Sequence, residues 1–476
     1  MIMKTASNQT NKAKKKWLIA LLVLTVLIGG IAILCVLSKK GPIFELGLVR
    51  SETMVLMLAF LLVLPLMLLM MAVLWTVDSR NRKKTGSLPQ VGNTPIVLAA
   101  PVAVKAGDSP ADPAEENAPR FCMLSRIDES KRIYDARRYE EEVSLKRFCD
   151  NFRNYAAAEL RLYYDIKDIR RFIAGMAVSP IIILQGMSGT GKTSLAHAMG
   201  SFVRNTSTVI PVQPMWKERT DLLGYYNEFT KRFNETLLLE KMYEANYCKD
   251  IYITVLDEMN IARVEYYFAE MLSIMEMPDP NEWKIELVPS SWDNDPKHLA
   301  DGKLLIPQNT WYVGTANNDD STFSISDKVY DRALTINIDN KGIPFEAPDT
   351  PPSLINYTAV QALYDQAIED YPVDPRYLEM IEDLDTYVIK KFRVAFGNRI
   401  MKQLKIFVPV YVACGGDPLE GIDHILATKV FRKFEMLNLS LIRDEIKGLI
   451  NYLNTLFGKD TMKSSIEFLD RLQRTY

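Results

Sequence analysis

The stretch that decides the fold is Gly186-Met187-Ser188-Gly189-Thr190-Gly191-Lys192-Thr193, or GMSGTGKT in one-letter code. It fits the phosphate-binding pattern G-x-x-x-x-G-K-[S/T] at every fixed position. The apolar run at 181–184 predicts a buried parallel strand, and the residues from Ser194 onward predict a helix. This order of strand, turn and helix aims backbone N–H groups and the positive end of a helix dipole at phosphate oxygens. We therefore expect Lys192 to reach the β- and γ-phosphates of a nucleotide, and the Thr193 hydroxyl to bind Mg²⁺.

A second apolar run, at 251–256, predicts another buried strand and ends in Asp257 and Glu258. Hydrolysis of a nucleotide needs a carboxylate that holds Mg²⁺ through water and a base close to the γ-phosphate. We expect Asp257 to hold the metal and Glu258 to polarise the attacking water.

The composition limits the function classes. Lys and Arg number 57 against 59 Asp and Glu, so the net charge of −2 does not favour a general nucleic-acid binder. The length of 476 residues allows two or three domains. The five cysteines show no metal-ligand or disulfide spacing, which favours buried, reduced thiols. The three histidines are scattered, so the sequence suggests no metal site beyond the Mg²⁺ site.

Two uncharged apolar runs, at 17–38 and 53–77, predict two transmembrane helices. At about 1.5 Å per residue, each is long enough to cross a hydrocarbon core of roughly 30 Å. Basic residues precede the first run and follow the second, which places both flanks in the cytoplasm, although the connecting loop is also basic. We expect an integral protein of the cell inner membrane, anchored by residues 1–84, with the nucleotide site in the cytoplasm.

The region after the anchor divides by composition. Residues 85–119 are rich in Pro, Ala and small polar residues without apolar periodicity, which is typical of a flexible linker. Residues 120–176 mix charged and apolar residues at helical spacing and predict a helical N-terminal part of the catalytic module.

Two further stretches carry a resemblance to a known family. VIPVQPMWKERTDLLGYYN at 209–227 and VLDEMNIARVEYYF at 255–268 resemble segments of AAA+ ATPases of the McrB and MoxR-like group, which includes the dynein-related modules. The resemblance covers roughly residues 165–440 and omits the apolar runs and the linker. It implies an α/β fold: an AAA+ P-loop NTPase core at 177–342 with a parallel sheet of about five strands flanked by helices. A C-terminal helical lid at 343–476 follows, and the two transmembrane helices precede the module. The proline-rich stretch at 344–352 predicts a break in regular structure before this lid, and the helical periodicity at 364–392 and 422–457 predicts helices within it.

The resemblance also implies roles for residues outside the two carboxylates. Asn317, at the tip of a strand predicted over 310–315, matches the sensor 1 position and is expected to orient water beside Glu258. Arg332 matches the arginine finger, which stabilises charge on a neighbouring subunit's γ-phosphate. Arg399 resembles the start of sensor 2 and is a candidate phosphate contact. Two short strands at 283–288 and 302–306 resemble a hairpin that projects towards the pore in relatives; contact with substrate and an inert insertion both remain open for it.

The expected site follows from these assignments. The catalytic residues are Glu258, Asn317 and Arg332, and Mg²⁺ is held by Thr193 and Asp257. The residues expected to bind ATP are Gly186, Met187, Ser188, Gly189, Thr190, Gly191, Lys192, Thr193, Ser194, Asp257 and Arg399.

The sequence predicts a membrane-tethered ATPase that binds ATP and Mg²⁺ and hydrolyses ATP as a homo-oligomeric ring. By family analogy the ring is a hexamer that remodels an unidentified protein partner. An alternative is a McrB-type motor that acts on nucleic acid with a nuclease partner, although the anchor occupies the end where a DNA-binding domain would lie. A nucleotide-gated scaffold without turnover is a third class, and the presence of Glu258 argues against it.

Overall fold

The computed structural model describes residues 119–131, 143–317, 322–339 and 341–474, all within one compact unit, Ser109–Tyr476. The apolar runs at 17–38 and 53–77, and nearly all of the linker at 85–119, lie outside the described residues. Within the described ranges, no helix combines the length and the apolar character that crossing a membrane requires.

A five-stranded parallel sheet forms the centre of the unit and confirms the predicted α/β class. Its strands lie in the order β10-β1-β9-β5-β2, and every neighbouring pair is parallel. In chain order the strands of the described residues are β1 (Ile181–Gly186), β2 (Thr208–Pro211), β3 (Gly224–Asn227), β4 (Arg232–Glu235), β5 (Tyr252–Asp257), β6 (Lys284–Glu286), β7 (Leu299–Ala300), β8 (Lys303–Leu305), β9 (Thr310–Asn317) and β10 (Leu334–Asn337).

Helices cover both faces of this sheet and continue to the C-terminal end of the described chain. In chain order they are α1 (Cys122–Ser130), α2 (Leu145–Ala158), α3 (Ile166–Val178), α4 (Lys192–Phe202), α5 (Arg219–Leu223), α6 (Leu237–Ala245), α7 (Val264–Tyr267), α8 (Ala269–Ile274), α9 (Asp327–Tyr330), α10 (Tyr357–Asp370), α11 (Pro375–Phe392), α12 (Gly397–Ala413), α13 (Pro418–Ile425), α14 (Leu439–Phe457) and α15 (Lys463–Arg474). A π-helical turn, Leu426–Val430, and a 3₁₀ helix, Phe431–Met436, lie between α13 and α14.

The sheet is buried on both faces because its strands carry apolar residues at successive positions. Ile182 and Leu184 of β1 point into a cluster that includes residues of α2, α3, α4 and the C-terminal helices. Ile181 and Ile183 point into a second cluster, built with α1, α6, α7 and α8. Side chains alternate across a strand, so an uninterrupted apolar run is what a doubly covered parallel strand requires. This burial holds β1 rigidly below the glycine-rich turn.

The C-terminal helices form the lid, which we define as residues 357–474. Residues 341–356 contain no helix or strand, in keeping with the predicted break at 344–352. The helical run predicted over 364–392 is divided into α10 and α11, because Pro375 starts a new helix and the Asp374 side chain caps it. The run predicted over 422–457 is interrupted by the π-helical and 3₁₀ turns. The lid shares its apolar cluster with one face of the sheet.

Two small antiparallel sheets extend from the core. β3 pairs with β4, and β8 pairs with both β6 and β7. The two short strands predicted at 283–288 and 302–306 are thus present as β6 and β8, with β7 as an additional strand.

The cysteines of the described residues are free thiols. Cys149 and Cys414 are buried, whereas Cys122 and Cys248 are partly buried. Burial raises the pKa of the Cys149 thiol well above its ordinary value, and the neighbouring Cys414 raises it further. The Cys149 thiol therefore stays protonated at neutral pH.

Candidate nucleotide-binding site

The strand order brings the predicted motifs to one edge of the sheet. β9 lies between β1 and β5, so its end separates the glycine-rich loop from the Asp257–Glu258 pair. In the register of the strands, Gly186 is opposite Asn317 and Leu256 is opposite Gly314. The carboxyl ends of parallel strands are the usual ligand-binding edge of an open α/β sheet. The loop, both carboxylates and Asn317 therefore share the edge predicted for them.

The loop between β1 and α4 has the conformation that its glycines allow. Gly191 has φ of +89°, a left-handed conformation that strains other residues, and it stands at the N-cap of α4. A Cβ atom there would lie 3.1 Å from the Tyr164 hydroxyl, which donates a hydrogen bond to the Gly191 carbonyl at 2.9 Å. Tyr164, which precedes α3, thus supports the loop from below and was not predicted to do so.

Lys192 is held inside this loop. It is 6% exposed, and its Nζ donates hydrogen bonds to the carbonyls of Gly186 at 3.0 Å and Met187 at 2.6 Å. The Thr190 hydroxyl also donates to the Met187 carbonyl, at 3.0 Å. These contacts keep a cation at the start of α4, where the helix dipole is also positive. The two together favour an anion.

Thr193 and Asp257 meet across the site. The Thr193 hydroxyl donates a hydrogen bond to Asp257 Oδ1 at 2.7 Å, although the two residues are 64 positions apart. A hydroxyl and a carboxylate are hard oxygen ligands of the kind that Mg²⁺ prefers, and phosphate oxygens and water complete its octahedron in such sites. The donor set thus fits the predicted metal. In the described part of the chain, no cluster of three or more His, Cys, Asp and Glu side chains forms another candidate metal site.

Thr315 links the Asp257 carboxylate to the Glu258 backbone and was missed by sequence reasoning. Its hydroxyl donates to Asp257 Oδ1 at 2.8 Å and accepts a hydrogen bond from the Glu258 backbone N–H at 2.9 Å. The side chain is 3% exposed. Glu258 has φ of +53° and is exposed, so its carboxylate stands at the open side of the site. Only the placement of β9 beside β5 reveals the role of Thr315.

Asn260 was also missed, and it anchors the chain around Asn317. Its side-chain amide donates to the Asn317 carbonyl at 2.9 Å and to the Thr322 hydroxyl at 3.0 Å. Its Oδ1 accepts a longer hydrogen bond, 3.4 Å, from the Asn317 backbone N–H. These bonds hold the Asn317 backbone at the tip of β9, opposite Gly186 of β1.

The structure brings Arg332 and Arg399 together, away from the loop of their own chain. Arg332 bonds Glu276 Oε2 through Nε and Nη2, each at 2.7 Å, and Arg399 Nη2 forms an ion pair with Glu276 Oε1. The Arg332 carbonyl accepts a hydrogen bond of 2.8 Å from Ser179, just before β1. β1 is six residues long, so at about 3.3 Å per residue its two ends are roughly 17 Å apart. Both arginines therefore lie near the amino edge of the sheet.

A cavity of about 670 Å³ opens beside the loop, between α3, the end of β10 and α15. Asp339, which lines it, is next to Gly186: a Cβ atom on that glycine would lie 3.1 Å from Asp339 Oδ1. Asp168 and Arg171 of α3 form another wall and are ion-paired at 3.1 Å. Burial raises the pKa of Asp168 to about 6, and Arg171 opposes this shift.

No protein-family model and no curated protein matches the chain. A solved structure from Cytophaga hutchinsonii ATCC 33406, described as that of a candidate ATPase, matches with a TM-score of 0.44 and 13% identity. The match covers 70% of this chain and 99% of that one. At this level of similarity, neither activity nor partner is transferred from that protein.

Proposed function

We propose that this chain is an ATPase of the AAA+ type that binds ATP with Mg²⁺ and hydrolyses it in an oligomeric ring. The observation that carries the proposal is the hydrogen bond between Thr193 and Asp257, 2.7 Å long, directly beside the Lys192 loop. Two motifs recognised separately in the sequence thus meet at hydrogen-bond distance beside the loop. A glycine-rich turn without nucleotide chemistry has no need of this carboxylate.

The residues of the site have different roles in the proposed hydrolysis. Lys192 and the loop N–H groups hold the β- and γ-phosphates, and bound Mg²⁺ would neutralise the charge on their oxygens. Glu258 accepts a proton from a water molecule whose oxygen attacks the γ-phosphorus, while the bond from that phosphorus to the β-phosphate oxygen breaks and ADP leaves. Asn317 orients that water.

The cavity beside Gly186 is the proposed site for the nucleoside. Its volume of about 670 Å³ falls within the range of small-molecule pockets. Its walls come from the core and from α15 of the lid, so a bound nucleotide would touch both parts of the module.

Arg332 and Arg399 are proposed to serve a neighbouring subunit. They lie near the sheet edge opposite the loop, and each keeps an exposed fraction, 25% for Arg332 and 45% for Arg399. A guanidinium beside a γ-phosphate stabilises charge in the transition state, and an arginine supplied in trans does so in related chemistry. Complete sites would then exist only between subunits.

The proposed anchor and partner rest on the sequence. The runs at 17–38 and 53–77 would hold the ring at a membrane, with the ATPase module in the cytoplasm, and the ring would remodel a protein partner. Capture of a trapped complex from a detergent extract with the Glu258→Gln chain, compared with Lys192→Ala, would identify that partner.

The catalytic proposal is tested with single variants and with mixtures of them. Glu258→Gln should bind ATP and lose most hydrolysis, because it removes the base and keeps the phosphate contacts, whereas Lys192→Ala should weaken binding itself. Arg332→Ala should bind ATP and lose hydrolysis by about 10³-fold or more, and Arg399→Ala should lose part of it. Mixing Arg332→Ala with Glu258→Gln subunits should restore activity, since an intact Glu258 then faces an intact Arg332. Parent-level turnover by Glu258→Gln would refute the catalytic assignment, and no restoration on mixing would refute the assignment in trans.

A further inference from the structure

Lys429 is a buried lysine that the proposed hydrolysis steps do not use. It is 3% exposed and lies in the π-helical turn Leu426–Val430 of the lid. A π-helical turn is rare inside helical segments and often accompanies a functional position. Burial lowers the pKa of Lys429 to about 7, and the nearby negative charge of Asp331 partly opposes this shift. A buried ammonium is retained only where hydrogen-bond acceptors compensate for lost water.

The acceptors that Lys429 has are backbone carbonyls on both sides of Arg332. Its Nζ donates to the carbonyl of Tyr330 at 2.6 Å and to that of Ala333, with a longer contact of 3.5 Å to that of Asp331. Three carbonyl acceptors around one amine match the three donors of a protonated lysine. The side chain therefore reaches from the lid into the core and fixes the short segment that carries the proposed arginine finger.

Other contacts hold the same segment from the lid and from the core. Gln403 of α12 donates from Nε2 to the Asp331 carbonyl at 3.2 Å, and the Arg432 guanidinium lies 3.0 Å from the centre of the Tyr330 ring. On the core side, Ser179 donates to the Arg332 carbonyl. The backbone of Arg332 is thus held between the lid and the amino end of β1, while its guanidinium extends to Glu276.

We propose that Lys429 is a positioning residue for Arg332: from the lid of one subunit, it sets the backbone that presents Arg332 to the nucleotide of the neighbouring subunit. This inference rests on the proposed function, because it assumes that Arg332 acts in trans. It adds a dependence of one subunit's hydrolysis on the lid of its neighbour. A displacement of about 1 Å in such a group reduces rates by roughly 100-fold in comparable systems.

The test uses Lys429→Met, which keeps the aliphatic length and removes the donors. Alone, this variant should bind ATP like the parent and hydrolyse it about 10- to 100-fold more slowly. Mixed with Glu258→Gln subunits, it should recover activity, because its intact Glu258 then faces a properly held Arg332. Mixed with Arg332→Ala subunits, it should not recover, because neither partner supplies a working finger. A general loss of structure would not produce this difference between the two mixtures.

Lys167→Met is the matched control. Lys167 also joins core to lid, through an ion pair with Glu420, but it does so away from Arg332 and is half-exposed. The Lys167→Met variant should hydrolyse ATP at the parent rate. If Lys429→Met does not fold, as judged by its melting curve, Gln403→Met replaces it, since it removes one hydrogen bond to the same segment. A several-fold loss is expected for this variant, with the same pattern of recovery.

Each outcome decides the inference. Parent-level hydrolysis by Lys429→Met, or by Gln403→Met where that variant stands in, would overturn it. A loss of hydrolysis that neither mixture restores, or that both mixtures restore equally, would also overturn the inference. Failure of the proposed function is visible separately: Arg332→Ala would then retain hydrolysis, or would gain nothing from Glu258→Gln, without reference to Lys429.

Discussion

Replacing Thr315 by valine should separate ATP binding from hydrolysis. Valine has nearly the same shape, so the buried position stays filled, but the hydroxyl that bonds both Asp257 Oδ1 and the Glu258 N–H is removed. The Asp257 carboxylate then loses a hydrogen-bond donor, and the backbone that carries Glu258 loses its acceptor. ATP affinity should change less than about 3-fold, because the loop and Lys192 keep their own hydrogen bonds.

The expected magnitudes follow from these two bonds. A hydrogen bond to a charged acceptor is worth about 1.5–3 kcal/mol, and a buried N–H left without a partner costs about 1–3 kcal/mol. The bond from the Glu258 N–H is only partly buried, so water can partly replace it, and we expect the free energy of unfolding to fall by about 2–4 kcal/mol. For the rate, a shift of the base by a fraction of an ångström to 1 Å predicts a kcat that is about 10- to 100-fold lower.

The assay compares Thr315→Val with Thr315→Ser, which keeps the hydroxyl and loses only a methyl group. Nucleotide affinity is measured by equilibrium binding, kcat by steady-state phosphate release, and stability by urea unfolding. The serine variant should retain both hydrogen bonds and hydrolyse ATP within about 3-fold of the parent. If the valine variant folds and its kcat equals that of the serine variant, Thr315 does not orient the catalytic carboxylates and the reasoning is wrong.

Three other predictions concern the loop, the pH dependence and the membrane. Gly191→Ala should weaken ATP binding at least several-fold, because an alanine at φ of +89° is strained by about 1–2 kcal/mol and its Cβ crowds Tyr164; unchanged affinity would contradict the loop geometry. Burial raises the pKa of Asp168, so the folded protein holds that proton more tightly than the unfolded chain. The stabilisation of the folded protein by this proton is therefore complete below pH 3.8, and it is lost as the pH rises towards about 6. Asp168→Asn should weaken the dependence of the free energy of unfolding on pH in this range, as measured by urea unfolding at each pH. An unchanged dependence on pH would count against the raised pKa. The full chain should resist extraction from membranes by carbonate and high salt, and a chain shortened to begin at Arg120 should not sediment with them; release of the full chain by salt alone would refute the two spans.

The sequence by itself determined the local chemistry of this protein. The turn from Gly186 to Thr193 and the Asp257–Glu258 pair were recognised because each depends on neighbouring residues: an apolar run, a glycine-rich turn and the residues at a strand tip. Apolar runs without alternation predicted strands that are buried on both faces, and the resemblance of 209–227 and 255–268 to AAA+ ATPases implied the α/β fold class. Helix boundaries in the lid were less well predicted, because the break before Pro375 and the π-helical turn at 426–430 interrupt periodic segments.

Only the tertiary structure decided which residues serve these motifs from a distance. Thr315 and Asp257 are 58 positions apart and meet because β9 lies beside β5, and Lys429 and Tyr330 are 99 positions apart and meet because the lid packs on the core. Glu276, which pairs with Arg332 and Arg399, could not be found from any local pattern. The physical reason is that such contacts depend on strand order and on the packing of whole elements. Both are set by the burial of apolar surface over the entire unit, whereas a motif reports only the backbone geometry of its own few residues.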